Sequence, residues 1–220
     1  MKKSIIITAG GVGKRMGANQ PKQFLEIGGK PILCYTIQRF FEYDNSIEII
    51  VVLPSDYIEE WKEIQSKNCF NISHKIVAGG KERFDSVKNG LAIATGDLIG
   101  VHDGVRPFVS LDVIDACYKE AEEHDAAIPV LAPKESLRYY SGEKWEAVDR
   151  SKYVTIQTPQ VFNKNIIVKA YEQKFSSIFT DDASVIEANG GEIHLVEGND
   201  ENIKITTPFD LLVAKALLNK

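Results

Sequence analysis

Cysteine is scarce in this chain, and so are long apolar runs. Its three cysteines, Cys34, Cys69 and Cys117, are widely spaced and form no Cys-x-x-Cys pair. Neither a disulfide framework nor a zinc site is therefore indicated, and the thiols are predicted to fill the core. The apolar run near the N-terminus is short and meets glycines, which predicts a first strand rather than a signal peptide. No stretch approaches the roughly 20 apolar residues of a membrane span, so a cytoplasmic protein is expected.

An excess of positive charge is also missing. The 26 Lys and Arg residues face 31 Asp and Glu residues, giving a net charge of −5. This balance predicts neither a nucleic-acid partner nor a membrane partner. The composition, 44% hydrophobic and 26% charged, is that of an ordinary globular protein, and 220 residues predict a single domain over 1–220.

Short runs rich in Ile and Val alternate with segments of helical periodicity. This rhythm is typical of βα units in a mostly parallel sheet covered by helices on both faces. The predicted strands are 4–8, 47–53, 74–77, 98–102 and 127–131. The predicted helices are 32–41, 56–66, 83–94 and 111–124, with Ser55 and Ser110 at N-cap positions. The pattern predicts a doubly wound α/β fold.

The rhythm changes after Pro133. Residues 136–161 alternate polar and aromatic side chains around a Ser-Gly-Glu-Lys turn, which predicts an inserted β-hairpin arm. Because a lone hairpin is marginally stable, and because Tyr139, Tyr140 and Trp145 would be exposed on it, the arm is expected to pack on a second subunit. Beyond the arm the pattern predicts helices 165–175, 182–189 and 208–218, and strands 192–197 and 202–206.

The first predicted strand runs into a glycine-rich loop, TAGGVGKRMGANQPKQF, at residues 8–24. A Walker loop is excluded because its Gly-Lys pair is followed by Arg15, and a dinucleotide fingerprint is excluded because Gly17 falls one residue late. Unhindered backbone N–H groups with the cations Lys14, Arg15 and Lys22 point to a polyphosphate ligand. A tight strand-to-helix turn with solvated lysines is the alternative.

Asp103 stands at the carboxyl end of the fourth predicted strand. A carboxylate there can hold hydrated Mg²⁺ that bridges substrate phosphates. A helix N-cap or an ion pair between Asp103 and Arg106 is the alternative. His102 is interpreted as a packed strand residue, and Asp181 and Asp182 most simply cap the helix that follows them.

Six segments in a fixed order carry a family resemblance: the glycine-rich loop, GGKERFDSV, VHDGVRP, VDR with QTPQVF, TDDAS and VEGNDENIKITTPFDL. Together they resemble the 2-C-methyl-D-erythritol 4-phosphate cytidylyltransferase family over essentially the whole chain. Ribitol-5-phosphate cytidylyltransferase shares much of the pattern and is the alternative. The resemblance implies a Rossmann-like nucleotidyltransferase fold, a homodimer joined by the arm, and Mg²⁺-dependent coupling of CTP to a polyol phosphate.

The resemblance also implies residue roles. The nucleotide is expected to meet Ala9, Gly10, Gly11, Gly80, Ser86, Asp103 and Gly104. The catalytic cations are expected to be Arg15, Lys22, Arg150 and Lys204. The acceptor is expected to meet Asp103, Arg106, Ser136, Arg150 and Lys204, with Asp103 also holding the metal. Because the family's arm crosses to a second subunit, part of each site would be supplied in trans.

The sequence departs from the family pattern at two places. Lys81 stands where the family often has an acid, and a cation cannot accept the hydrogen bond that a carboxylate would accept. Ser136 stands where relatives commonly have Thr, which keeps a hydroxyl.

The expected chemistry places few demands on proton transfer. A phosphomonoester is already anionic near neutral pH, its second pKa being about 6, so no general base is required. Positioning and cationic stabilisation should dominate. Two rivals are a non-catalytic nucleotide sensor, which would leave Arg150 and Lys204 without a role, and a dehydrogenase, which the position of Gly17 disfavours.

Overall fold

The computed structural model describes residues 1–11, 21–68 and 70–219, and the elements below lie within these ranges. The strands are β1 (Lys3–Thr8), β2 (Glu26–Ile27), β3 (Lys30–Pro31), β4 (Glu48–Leu53), β5 (Lys75–Ala78), β6 (Leu98–Asp103), β7 (Ala126–Leu131), β8 (Arg138–Tyr140), β9 (Trp145–Ala147), β10 (Thr155–Ile156), β11 (Gln160–Asn163) and β12 (His194–Glu197). The helices are α1 (Ile32–Tyr43), α2 (Ile58–Lys67), α3 (Arg83–Leu91), α4 (Leu111–His124), α5 (Lys164–Ala170), α6 (Asp182–Ala188) and α7 (Pro208–Leu217).

The central sheet is mixed and mostly parallel. Strands β5, β4, β1 and β6 follow one another as parallel neighbours, and β11 then runs antiparallel between β6 and β7. Both β10 and β12 pair with β7. Thr8 lies opposite Val52 on one side and Asp103 on the other, so the carboxyl ends of three strands meet at one edge. The predicted α/β architecture is confirmed.

Alternate residues of β1 supply the two faces of the core. Ile5 and Ile7 pack with residues of α1, α2 and α4, whereas Ile6 packs with residues of α3, α5 and α6. All three side chains are fully buried. This explains why the strand is continuously apolar, because a sheet with helices on both faces leaves no side of a central strand to solvent.

Most predicted boundaries hold within a few residues. Two expectations are wrong, namely the N-cap at Ser55 and the strand over 202–206, whereas the N-cap at Ser110 is confirmed. Ser110 is the N-cap of α4, where its Oγ accepts from the Val113 N–H at 3.1 Å. Ser55 does not cap α2, because a 3-10 turn over Ser55–Tyr57 comes first. No strand forms over 202–206, where the Ile205 N–H donates to the Val105 carbonyl at 3.0 Å.

The predicted arm exists but is shorter than 136–161. Strands β8 and β9 form their own two-stranded sheet, closed by a bond from the Ser141 N–H to the Lys144 carbonyl at 3.0 Å. After a 3-10 turn over Arg150–Lys152, the chain returns to the central sheet as β10 and β11. Phe162 is fully buried there. The alternation over residues 155–161 therefore belongs to the central sheet and not to the arm.

The two cysteines in the described ranges are core residues, as predicted. Cys34 and Cys117 are fully buried, and burial raises the pKa of the Cys34 thiol to about 11. Cys69 lies outside the described residues. The described helices include none that is both long enough and apolar enough to cross a bilayer.

Candidate active site

A cavity of about 410 Å³ opens where β1 and β6 end. Parallel α/β sheets bind ligands at this edge, because the loops that leave the strand ends surround a crevice there. Eight residues predicted for the site line it together: Ala9, Gly10, Gly11, Lys22, Gly80, Ser86, Asp103 and Lys204. They come from the start, the middle and the end of the chain, and the fold collects them at one place.

One wall of the cavity is the backbone that follows β1. The Ala9 N–H donates to the Val52 carbonyl at 2.9 Å, and Gln23 Nε2 donates to the Ala9 carbonyl at 2.5 Å. A Cβ on Gly11 would lie 2.9 Å from Lys22 Cε, whereas a Cβ on Gly10 would meet nothing within 4 Å. The glycine at position 11 thus lets the Lys22 stem cross close to the backbone, and Gly10 leaves room for a ligand.

The opposite wall is the turn that enters α3. Ser86 Oγ accepts from the Gly80 N–H and donates to the Glu82 carbonyl, each at 3.1 Å. A Cβ on Gly80 would fall 2.2 Å from Asp85 Cβ, so only glycine fits at this position. The proton of the Ser86 hydroxyl is already used, and a ligand would meet this oxygen as an acceptor. Lys81 also lines the cavity.

Asp103 lies at the centre of the site, surrounded by three cations. Its Oδ2 is 3.0 Å from Lys204 Nζ and 3.2 Å from Arg106 Nε, and its Oδ1 is 3.9 Å from Arg83 Nε. Burial alone would raise the pKa of Asp103, but Arg83, Lys204 and Arg106 hold this pKa well below its ordinary value. The carboxylate is therefore ionised throughout the physiological pH range.

A second cavity, of about 240 Å³, adjoins the first. It shares Arg83, Asp103 and Lys204 with the first cavity and adds Arg106 and Thr180 to the lining. Two ligands bound in the two cavities would therefore meet beside one carboxylate and the same cations. A single nucleotide pocket would not require this second chamber.

Gly104 is a packing residue of the site and lines neither cavity. Its N–H donates to the Thr8 carbonyl at 2.9 Å. A Cβ at this position would lie 3.1 Å from Ala9 Cβ and 3.2 Å from the Thr8 oxygen. The glycine lets β1 and the loop after β6 approach, which holds Asp103 and Ala9 side by side.

Arg83 was not among the residues predicted for the site. Its Nη1 donates to Asp182 Oδ1 at 2.9 Å, and its Nη2 donates to Asp182 Oδ2 at 2.6 Å. The Tyr171 hydroxyl also donates to Asp182 Oδ1, at 2.6 Å. The N-cap predicted at Asp181 is confirmed by its bond from the Ser184 N–H. The capping role predicted for Asp182 is wrong, because this fully buried carboxylate pairs with Arg83. The sequence signal that could have identified Arg83 as a site residue was its position within the GGKERFDSV segment.

Two further predicted residues are not brought into these cavities. Ser136 and Arg150 line neither cavity, and Arg150 Nη1 donates to the Lys134 carbonyl at 2.6 Å. Lys134 in turn pairs with Asp200 at 2.8 Å. Arg15 lies outside the described residues. The roles of all three remain predictions.

His102 is a packed strand residue, as predicted, and it belongs to a chain of hydrogen bonds behind Asp103. The Asp103 N–H donates to Thr158 Oγ1 at 3.2 Å, and this hydroxyl lies 3.0 Å from His102 Nδ1. His102 Nε2 lies 3.0 Å from the Arg106 carbonyl and donates to it, so Nδ1 accepts from Thr158. Burial lowers the pKa of His102 to about 4. The imidazole is neutral and fixes the end of β6, which carries Asp103, and the turn that carries Arg106.

The free energy of unfolding is expected to fall as the pH drops from about 6.5 towards 4. In this window the unfolded chain protonates His102 whereas the folded chain keeps it neutral, which favours unfolding. At about 1.4 kcal/mol per pKa unit, the loss reaches roughly 3 kcal/mol. Burial also lowers the pKa of His74, so the wild type must be compared with His102→Gln. Urea unfolding across this window should show the weaker pH dependence in the variant, and equal dependence would contradict the assignment.

A family model described as 2-C-methyl-D-erythritol 4-phosphate cytidylyltransferase matches residues 4–220. The protein of that name from Bacteroides thetaiotaomicron is 52% identical over 219 residues, which are 99% of this chain and 100% of the relative. The protein of the same name from Porphyromonas gingivalis is 49% identical and covers 99% of this chain and 98% of the relative.

Solved structures with the same architecture bear related names. The 4-diphosphocytidyl-2C-methyl-D-erythritol synthase from Anaerococcus prevotii superimposes with a TM-score of 0.85 at 30% identity, over 100% of this chain and 96% of that chain. The 2-C-methyl-D-erythritol 4-phosphate cytidylyltransferase from Thermus thermophilus gives a TM-score of 0.82 at 31% identity, over 100% of both chains.

Proposed function

Because this chain belongs to the 2-C-methyl-D-erythritol 4-phosphate cytidylyltransferase family, we propose that it couples CTP to 2-C-methyl-D-erythritol 4-phosphate and releases pyrophosphate. The chain is a nucleotidyltransferase. One observation carries the assignment of the site: two adjoining cavities share Asp103, Lys204 and Arg83. This arrangement provides for two phosphate-bearing substrates that must meet at a single phosphorus atom.

The first cavity is proposed to hold CTP. Its backbone wall at Gly10 and Gly11 allows phosphate oxygens to approach, and Lys22 supplies a cation beside them. On the opposite wall, the free lone pair of Ser86 Oγ can accept from the exocyclic amine of cytosine. A uracil oxygen could not donate there, so this contact would favour cytosine.

The second cavity is proposed to hold the acceptor phosphate, close to Arg106 and Lys204. An acceptor phosphate oxygen forms a bond to the α-phosphorus, and the bond from that phosphorus to the bridging oxygen of the β-phosphate breaks. Both electrons of the broken bond leave with pyrophosphate. The nucleophile is already anionic, so no side chain must remove a proton. Lys22 and Lys204 lower the barrier by stabilising the charge that accumulates on the phosphoryl oxygens.

Mg²⁺ is the proposed cofactor, and the residues present fit it. Asp103 is ionised, as a metal ligand must be, and the ion pair between its Oδ1 and Arg83 Nε is long, at 3.9 Å. One carboxylate suffices, because Mg²⁺ keeps several waters and takes substrate phosphates as further ligands. When bound, Mg²⁺ supplies charge stabilisation on the triphosphate.

A homodimer is proposed to complete the site. Tyr139 and Trp145 are more than 60% exposed on the isolated β8–β9 sheet, and exposed aromatics of this kind usually contact a partner. Ser136 and Arg150 lie at the two ends of this arm, outside both cavities of their own chain. In a dimer they would approach the acceptor of the partner subunit.

The buried thiols fit a reducing compartment, and the cytoplasm is the proposed location.

Pyrophosphate release with CTP tests the proposal directly. 2-C-methyl-D-erythritol 4-phosphate and ribitol 5-phosphate would be offered side by side, with UTP in place of CTP as the base control and chelated reactions as the metal control. Turnover with the methylerythritol phosphate, dependent on Mg²⁺, is the expected result. Preference for ribitol 5-phosphate would assign the alternative acceptor, and tight CTP binding without turnover would favour a nucleotide sensor.

A further inference from the structure

Two histidines stack at the edge of the central sheet, away from both active-site cavities. His124 ends α4 and His194 begins β12, and their rings lie 3.9 Å apart between centroids at an interplanar angle of 7°. Glu120, one turn earlier on α4, places its Oε2 3.6 Å from His124 Nε2. In the described part of the chain, these three side chains form the one group whose ligand atoms all lie within 4.8 Å of one another.

We propose that Glu120, His124 and His194 form a binding site for a divalent transition-metal ion of the zinc type. Imidazole nitrogens and a carboxylate oxygen are typical zinc ligands, at about 2.0–2.2 Å from the ion. Two nitrogens at that distance in a tetrahedral site stand about 3.4 Å apart. The ligand atoms of the three side chains lie within 4.8 Å of one another, but in the stack the ring planes are nearly parallel and the nitrogen lone pairs do not converge. Rotation of the two rings about their side-chain torsions would direct the lone pairs to one ion.

The backbone that carries these ligands is fixed by the fold. His194 is paired in register with Ala127 on β7, and β7 begins two residues after His124. The turn between α4 and β7 is held by two bonds of Asp125: its N–H donates to the Ala121 carbonyl at 3.0 Å, and its carbonyl accepts from the Asn163 N–H at 2.7 Å. The backbone of the site is therefore already in place, and only side-chain torsions need to change for the ligands to meet one ion.

The local charge also favours a cation. The site lies at the carboxyl end of a 14-residue helix, where the unpaired carbonyls carry partial negative charge. Glu123 Oε2 lies 4.0 Å from His124 Nε2, and Glu192 lines an adjoining cavity with both histidines. Hard Mg²⁺ uses imidazole nitrogens poorly as ligands, whereas zinc-type ions bind them well. The ion would tie the edge strand β12 to the end of α4.

Zinc titration of the chelator-treated full chain in excess Mg²⁺ tests this site. Mg²⁺ should occupy the oxygen ligands around Asp103, so that the remaining Zn²⁺ binding reports the histidine pair. One saturable site is expected, with an affinity that falls at least about tenfold in His124→Gln and in His194→Gln. Zinc should also raise the melting temperature of the wild type more than that of either variant.

A matched pair of glutamate variants separates ligation from surface charge. Glu120→Gln and Glu122→Gln remove the same charge from the same helix, but only Glu120 belongs to the cluster. Weaker zinc binding in Glu120→Gln alone is expected. Co²⁺ should give the visible absorption of a four-coordinate site in the wild type and lose it in His194→Gln. Absence of saturable zinc binding, or binding that the histidine variants leave unchanged, would overturn the proposal.

Discussion

Replacing Lys22 with alanine is expected to lower kcat for pyrophosphate release by about 10³-fold while the fold is retained. Lys22 lines the CTP cavity, and its stem passes the backbone at Gly11. In the proposed complex its ammonium would reach the triphosphate, and the side chain is not part of the apolar core. Because the charge on the transferred group is greatest in the transition state, loss of this cation should affect kcat more than CTP binding.

Steady-state kinetics with CTP and the acceptor measure this effect, and circular dichroism and thermal melting verify the fold. Lys169→Ala is the matched control, because Lys169 is an exposed lysine on α5 that lines neither active-site cavity. Near-normal turnover of Lys22→Ala would remove Lys22 from the catalytic residues. An equal loss in Lys169→Ala would indicate a general charge effect.

Replacing Arg150 with alanine is expected to lower kcat/KM for the acceptor by about 10²-fold and to leave CTP binding almost unchanged. Arg150 lines neither cavity of its own chain, and the proposed homodimer would bring it to the acceptor site of the partner subunit. Arg138→Ala on β8 is the control, because it removes an exposed arginine from the same arm. Wild-type acceptor kinetics in Arg150→Ala would contradict the assigned role.

Mixed dimers test the supply in trans. When Lys22→Ala and Arg150→Ala subunits combine, one of the two sites lacks both side chains and the other retains both. A two-fold symmetric dimer has two equivalent sites, and one of them would be intact. Activity per dimer should therefore return to as much as about half of the wild-type value. Verified heterodimers without recovery would show that Arg150 acts within its own chain, or not at all.

The sequence was sufficient to predict the features that depend on local pattern. The alternation of apolar runs with helical periodicity predicted the parallel sheet, and that sheet places the end of β6 beside the end of β1. The position of Asp103 followed from this rule, since ligands bind at the carboxyl ends of parallel strands. Ser110 was predictable for a similar reason, because an N-cap needs only its own hydroxyl and the N–H three residues on.

Features that depend on distant contacts could not be predicted in this way. Arg83 and Asp182 are 99 residues apart, and nothing near either residue shows that they pair. The Ile203–Ile205 alternation imitates a strand, but the segment that follows β12 lies beside Val105 and joins no sheet. The predicted arm was too long because it included residues 155–161, which join the central sheet. An alternating pattern predicts a strand but does not indicate which sheet that strand joins.

The three cations around Asp103 have a consequence for the energetics of substrate entry. Without substrate, this carboxylate serves as an internal counterion that holds Lys204 and Arg106 in place. Arriving phosphates would meet cations that Asp103 already holds together, so these cations need not be gathered from solvent. Little reorganisation should then accompany binding, and the cleft should keep nearly the same shape with and without its ligands.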